Sequence, residues 1–247
     1  MSRSLSLPEQ LLRRSVRVVR PRDLENSFAN PSQELRRLAS KNTLLRLAHG
    51  YYALPPSDWL GDPGWVPDVE AVALGVAAAD HQLQRVAVVG ISAARVLGFY
   101  PRSLATAVVA VPVRRRYLAT ISGRVNFWQR QVDIMETQVW KSELGQGRVS
   151  TVEQALLDVA DLPQRGGVTL ATAEESLLNL ASKADWDRAR SLARSQRMGA
   201  AYRRARWFAD AVVPDAPRMT RPRHAVTSRG LHPVEPTDRR SFGIRDD

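Results

Sequence analysis

The stretch from Asn30 to Pro56 constrains the fold of this chain more than any other. Asn30-Pro31-Ser32-Gln33 puts a side-chain acceptor at a helix N-cap, a proline at the first helical position and an amide that can reach back to the cap. A helix is predicted over about Pro31–Lys41. Within it Leu35, Leu38 and Ala39 make one apolar stripe, while Gln33, Arg36, Arg37, Ser40 and Lys41 fall on the other side. After Asn42 the helical period is lost. Leu44-Leu45-Arg46-Leu47, then His49-Gly50, then Tyr51-Tyr52-Ala53-Leu54 stopped by Pro55-Pro56 read as a hairpin. Upstream, Ser6-Leu7-Pro8-Glu9 has capping-box spacing and predicts a short helix to about Arg14. A second start lies at Pro21-Arg22-Asp23, with Leu24 and Phe28 on one face. Three short helices followed by a two-stranded hairpin are the parts of a winged helix-turn-helix.

Charge gives this segment a direction. The 247 residues hold 36 Lys+Arg against 25 Asp+Glu, a net charge of +11, and residues 1–54 carry ten of the basic and four of the acidic side chains. A recognition helix needs an apolar back and a polar, cationic front that reaches base edges and phosphates. The expected contacts with duplex DNA are Ser32, Gln33, Arg36, Arg37, Ser40 and Lys41 on the third helix, with His49 and Tyr51 at the hairpin tip. The plain alternative is a solvated helix face.

Beyond Pro55-Pro56 the composition turns to Pro, Gly, Trp and Asp, which suits a linker over 56–67. A second domain is expected over 68–213, following a winged-helix domain over 1–55. Residues 68–79 and 91–98 read as helices, Ala105–Val113 as a buried strand and Gly123–Gln129 as another, with a turn at Arg114-Arg115-Arg116 between them. Ser150-Thr151-Val152-Glu153 reads as a capping box for a helix whose Leu156, Leu157 and Ala160 face a core and whose Asp158 faces away. From Thr169 the pattern is helical and amphipathic, with Leu177, Leu178, Leu180, Trp207 and Phe208 as core. The fold class is mixed α/β (α+β). The tail over 214–247, rich in Pro and Arg, is expected to be disordered.

Composition excludes several functions. The absence of cysteine removes disulfides, thiolate chemistry and Cys-based zinc sites, and four histidines at 49, 81, 224 and 232 do not cluster, so neither metal nor cofactor is expected. Ser103–Val113, 11 residues long, is among the longest runs without charge, too short to span a membrane. The chain is expected in the cytoplasm. Asp133, Glu136 and Lys141 lack the acidic-x-Lys spacing of a nuclease strand, and Gly145-Gln146-Gly147 lacks the further glycines of a phosphate loop. An enzyme is not expected.

Four stretches carry a family likeness: the basic segment ending in His49-Gly50-Tyr51-Tyr52-Ala53-Leu54; Ile91-Ser92-Ala93-Ala94-Arg95-Val96-Leu97-Gly98; Val109-Ala110-Val111-Pro112-Val113-Arg114-Arg115-Arg116; and Val149 to Ala160 with its Leu-Leu-Asp helix. Their order resembles the AbiEi antitoxins of type IV toxin–antitoxin systems, with Val152 where that family commonly has proline. The resemblance implies an antidote to a nucleotidyltransferase-like toxin that also represses its own operon by binding operator DNA. It further suggests that neutralisation resides in residues 68–213 alone. The alternative reading is a stand-alone winged-helix regulator whose second domain senses a ligand or a partner.

Two arginine groups are the expected partner-facing surfaces of the second domain. Arg114, Arg115 and Arg116 are adjacent at a turn with no acidic residue in the next ten positions, and Arg190, Arg194 and Arg197 recur at helical spacing.

Overall fold

A computed structural model describes residues 14–212. The expected helix from Ser6, except Arg14 at its end, and the tail over 214–247 lie outside the described residues. The described part is a mixed α+β fold with seven helices and two sheets.

The small sheet has three strands in the order β1-β3-β2, all antiparallel: β1 (Val18–Val19), β2 (Leu45–Ala48) and β3 (Tyr51–Ala53). Helix α1 (Pro31–Ser40) packs on it, preceded by a single 3-10 turn at Pro21–Leu24 where a second helix was expected. The predicted hairpin is therefore one strand wider than its own sequence implies. Strand β1 is only two residues long, and its pairing with β3 spans more than 30 residues, so no local period announces it.

Pleating explains why this sheet is buried on both faces. Alternate residues of a strand point to opposite sides. Val19, Tyr52 and Leu54 join Leu24, Leu35, Leu38 and Leu44 in a core of the winged helix itself. Val18, Tyr51 and Ala53, with Val16 and Leu47, point the other way into the main core of the molecule. On that side lies α2 (Val69–Asp80), an apolar helix buried around its whole circumference through Ala77. It is sandwiched between β1 and the large sheet. Gly75 lets the two approach, since a Cβ there would overlap the Val18 side chain. Residues 15–17 also pair with the turn at Leu144 and Gly145, with Arg17 N–H donating to Leu144 O at 2.7 Å. Although 56–67 has a linker composition, Trp65 is 6% exposed and Pro67 is buried, so its far end is packed. The described residues form one compact unit.

The large sheet runs β6-β7-β5-β4-β9-β8: β4 (Ala87–Val88), β5 (Thr106–Val111), β6 (Leu118–Thr120), β7 (Gly123–Gln129), β8 (Thr137–Ser142) and β9 (Gly145–Ser150). It is mixed, with β5·β7 and β4·β9 parallel. Strand β5 is buried on both faces, which is why its sequence is a continuous apolar run rather than an alternation. Helices α3 (Gly90–Val96), α4 (Val152–Asp161), α5 (Leu170–Ala181), α6 (Trp186–Ser195) and α7 (Gly199–Val212) complete the fold.

Three expectations need correction here. The cap of α4 is Thr151, whose hydroxyl accepts from Gln154 N–H; Glu153 instead accepts from Asp185 N–H at 3.1 Å. Asp158 does not face away. Packed among α3, α5, α6, α7 and β9, α4 is buried on every side, and Asp158 is 1% exposed. Trp207 is 55% exposed, because Ala201 and Ala205 form the inner face of α7.

Candidate nucleic-acid interface

Both ends of α1 are fixed by local chemistry. At its start Asn30 Oδ1 accepts from Gln33 N–H at 3.3 Å, and Asn30 Nδ2 donates to Gln33 Oε1 at 3.2 Å. At its end Asn42 adopts φ 55°, and the amides of Asn42 and Thr43 donate back to Ala39 O and Leu38 O. That is a Schellman arrangement, with asparagine in the left-handed position usually held by glycine. Leu35 and Leu38 are buried beneath the helix, and Ser32, Gln33, Arg36, Ser40 and Lys41 are exposed on its front. Asn30, Gln33, Arg36, Arg37 and Ser40 line a single shallow depression.

The two adjacent arginines of this helix differ in availability. Arg36 Nε donates to Ser32 O at 3.1 Å, leaving its terminal amino groups without an acid among the described residues. Arg37 is clamped in two places by Glu34, at 2.8 and 2.5 Å. Those hydrogen bonds hold the Glu34 carboxyl below its ordinary pKa and raise that of Arg37. This pair leaves Arg37 less free than Arg36 to meet an outside anion.

The hairpin tip separates its two expected contacts. His49 is exposed, 3.4 Å from Arg46 through Nδ1. Tyr51 is 4% exposed, and this corrects the expectation that it touches DNA. It starts β3 on the inward side of the pleat, and its hydroxyl donates to Asp80 Oδ2 at 2.6 Å while accepting from Arg115 at 2.9 Å. Burial raises its pKa first, with the Asp80 hydrogen bond adding to the effect.

Asp80, at the C-terminus of α2, is the centre of this arrangement. Its carboxylate takes ion pairs from Arg20, from Arg22 at 3.4 Å and from Arg115, while its side chain is 11% exposed. The Arg20 and Arg115 guanidinium groups lie 4.9 and 5.5 Å from the centre of the Tyr51 ring, and Arg115 also covers Phe127 at 4.3 Å. A carboxylate at a helix C-terminus meets an unfavourable dipole, which these arginines offset. Arg115 is thus not a free surface cation: its acid lies 35 residues upstream, out of reach of any local spacing argument. Arg114 and Arg116 on either side remain exposed.

The other arginine group also divides. Arg190 and Arg194 are exposed on α6, with Arg190 3.9 Å from Asp187 and stacked 5.9 Å over Tyr202. Arg197 does not continue their stripe. The helix ends at Ser195, and Arg197 takes φ 58° in a second Schellman arrangement closed by Met198 N–H on Ala193 O at 2.8 Å.

Three acids of the larger part, Glu70, Asp158 and Glu136, are held in hydrogen bonds and ion pairs. Glu70 is fully buried and bound twice by Arg95, at 2.7 and 2.6 Å. Asp158 accepts from Arg130 at 2.7 Å and Gln154 at 2.9 Å. Burial pushes the Asp158 carboxyl up, against the pull of Arg130. Glu136 is held by Arg188 at 2.6 Å and Thr151 at 3.3 Å, away from a role beside Asp133 and Lys141. No group of three or more His, Asp or Glu among the described residues is placed to hold a metal ion, and no helix among them is long and apolar enough to cross a membrane.

A search of curated proteins gives no match to the chain. A family model described as "Transcriptional regulator, AbiEi antitoxin" matches residues 6–55, the segment that contains α1 and the small sheet. That match makes the N-terminal region of this chain, 50 of its 247 residues, similar to the AbiEi antitoxin transcriptional regulator family.

Proposed function

We propose that the chain is an antitoxin that represses its own operon, with α1 in the major groove of operator DNA and the β2–β3 turn as the wing. The observation that carries the reading is the front of α1, where Ser32, Gln33, Arg36, Ser40 and Lys41 are exposed on a helix held from behind by Leu35 and Leu38, within the segment that the family model matches. Arg36 and Gln33 have the donor and acceptor groups that read base edges. Lys41 and His49 are suited to phosphates, and Arg37 adds its charge when Glu34 releases it. The antitoxin half of the reading rests on the same family match. It assigns the exposed Arg114, Arg190 and Arg194 to the cognate nucleotidyltransferase-like toxin, and it makes the chain a regulator rather than a catalyst.

The test is a gel shift with the duplex upstream of the chain's own coding sequence. Arg36→Ala/Arg37→Ala should weaken binding by about 1–3 kcal/mol for each good base contact that it removes, with a steep fall as salt rises in the wild type. Wild-type affinity in the double variant at matched salt overturns the assignment. The antitoxin role is tested with the same full-length variant. Deleting residues 1–55 would strip strands β1 to β3 from α2, so it cannot separate the two roles cleanly. Growth rescue from the toxin by a variant that no longer binds DNA supports neutralisation by the rest of the chain, and loss of rescue points to transcriptional control.

A further inference from the structure

Among the acid-free stretches of this chain are 35–57, with Arg36, Arg37, Lys41 and Arg46, and 81–132, with eight arginines. They are far apart in sequence, and the fold brings them together. Strand β2 is an outer strand of the small sheet and β6 an outer strand of the large one. The edges meet where Ile121 N–H donates to Leu47 O at 2.9 Å, two residues before His49 in the proposed wing. The β6–β7 turn is stiff there. Thr120 Oγ1 donates to Gly123 O at 2.7 Å, and Gly123 has φ 134°, with the space for a Cβ blocked by Ala105 O at 2.5 Å. Around this junction Arg46, Arg116 and Arg124 are exposed, and none of them takes part in an ion pair among the described residues. Arg124 is propped on the exposed Tyr117 ring, 4.5 Å from its centre, which limits how far its charge can swing. Arg115, between Arg114 and Arg116, anchors the loop to Asp80.

We propose that the DNA interface does not end at the wing: the β6 edge continues it, with Arg116 just before β6 and Arg124 at the start of β7 on the phosphates of the same duplex. This rests on the winged-helix reading above. Uncompensated arginines beside a wing and in acid-free sequence suit a polyanion with regularly spaced charges. Contacts of this kind add affinity without reading sequence. They also let the body of the protein fix the path of the duplex past the wing.

The experiment uses the full chain, the upstream duplex and a mixed-sequence duplex of about 30 base pairs, with affinity measured across a salt series. Arg116→Ala/Arg124→Ala should lose roughly tenfold in affinity for both duplexes, and the slope of log affinity against log salt should fall by about two, one for each phosphate contact. Arg124→Lys, which keeps the cation, should retain the wild-type slope, and Arg203→Ala, which removes one exposed cation on α7, should leave affinity and slope unmoved. If the double variant keeps the wild-type slope while Arg36→Ala weakens binding, the extended interface is wrong and the winged-helix reading stands. If Arg36→Ala is also without effect, the reading itself fails and the inference falls with it. An equal loss from Arg203→Ala shows a general charge effect and overturns the proposal. Thermal melting of each variant checks that a reduced slope does not come from a damaged fold.

Discussion

The arginines around Asp80 and the arginines on the front of α1 come from the same basic sequence and end in opposite conditions. Arg20, Arg22 and Arg115 converge on one carboxylate and cover Tyr51 and Phe127. Arg36 has no acid to meet among the described residues, and Arg37 meets one only within its own helix. Net charge counts both groups alike. What separates them is geometry: an arginine whose acid is supplied across the fold is part of the scaffold, and an arginine without one is available to a ligand.

The largest effect that would break this comparison is on stability at the tethered group. Asp80→Ala leaves partly buried guanidinium groups and the Tyr51 hydroxyl without their acceptor, and should cost about 3 kcal/mol, between the loss of a charged hydrogen bond and that of a buried ion pair. The denaturant midpoint measures it. Arg36→Ala should do the reverse, changing stability by less than about 0.5 kcal/mol while weakening DNA binding by about 1–3 kcal/mol. Equal stability losses in the two variants would erase the distinction between scaffold and surface.

A packing change sharpens the same contrast. Alanine normally beats glycine inside a helix by about 1 kcal/mol, but at Gly75 the added methyl meets Val18, so Gly75→Ala should destabilise by about 1–2 kcal/mol. A rise in melting temperature would show that β1 is not pressed against α2. A smaller effect is expected at Glu34. Glu34→Gln frees Arg37 and removes an acid from α1, so affinity for the duplex should rise by roughly 0.5 kcal/mol and the salt slope should steepen. Weaker binding would mean that the pair positions the helix rather than restraining its charge.

The smallest effect is on pH. Burial lowers the pKa of His81, with Asp80 opposing and Arg115, Arg85 and Arg22 adding repulsion. The folded form then binds its proton less readily than the unfolded chain. Stability should fall slightly as pH drops through the ordinary histidine range, and His81→Gln should flatten that slope. A slope unchanged in the variant assigns the pH dependence to another group.

Local chemistry was readable in the sequence, and distant pairing was not. The Asn30 cap, the Leu35–Leu38 stripe and β7 at Gly123–Gln129 follow from neighbours within a few residues. Strand β1, the Asp80 hub and the burial of Asp158 depend on residues tens of positions away. Tyr51 shows the cost. Read along the chain it is a tip residue beside His49, and only the pleat of β3 and the position of α2 turn it inward. Arg197 failed differently, since a left-handed residue ended the helix before the spacing could matter. The acid-free stretches were visible as text, but their meeting at Leu47 and Ile121 belongs to the tertiary fold.

Strand β3 has a consequence for how the molecule opens. Its backbone pairs with β1 on one side and β2 on the other, and its side chains divide between two cores. Its amides should then exchange with solvent only when both cores come apart, on the same slow timescale as those of the buried helix α4. A duplex bound at α1 stabilises whatever must be whole for binding, by about 2.7 kcal/mol at a hundred times its dissociation constant. Protection gained on adding DNA should therefore spread into α2 and α4, far beyond the atoms the duplex touches.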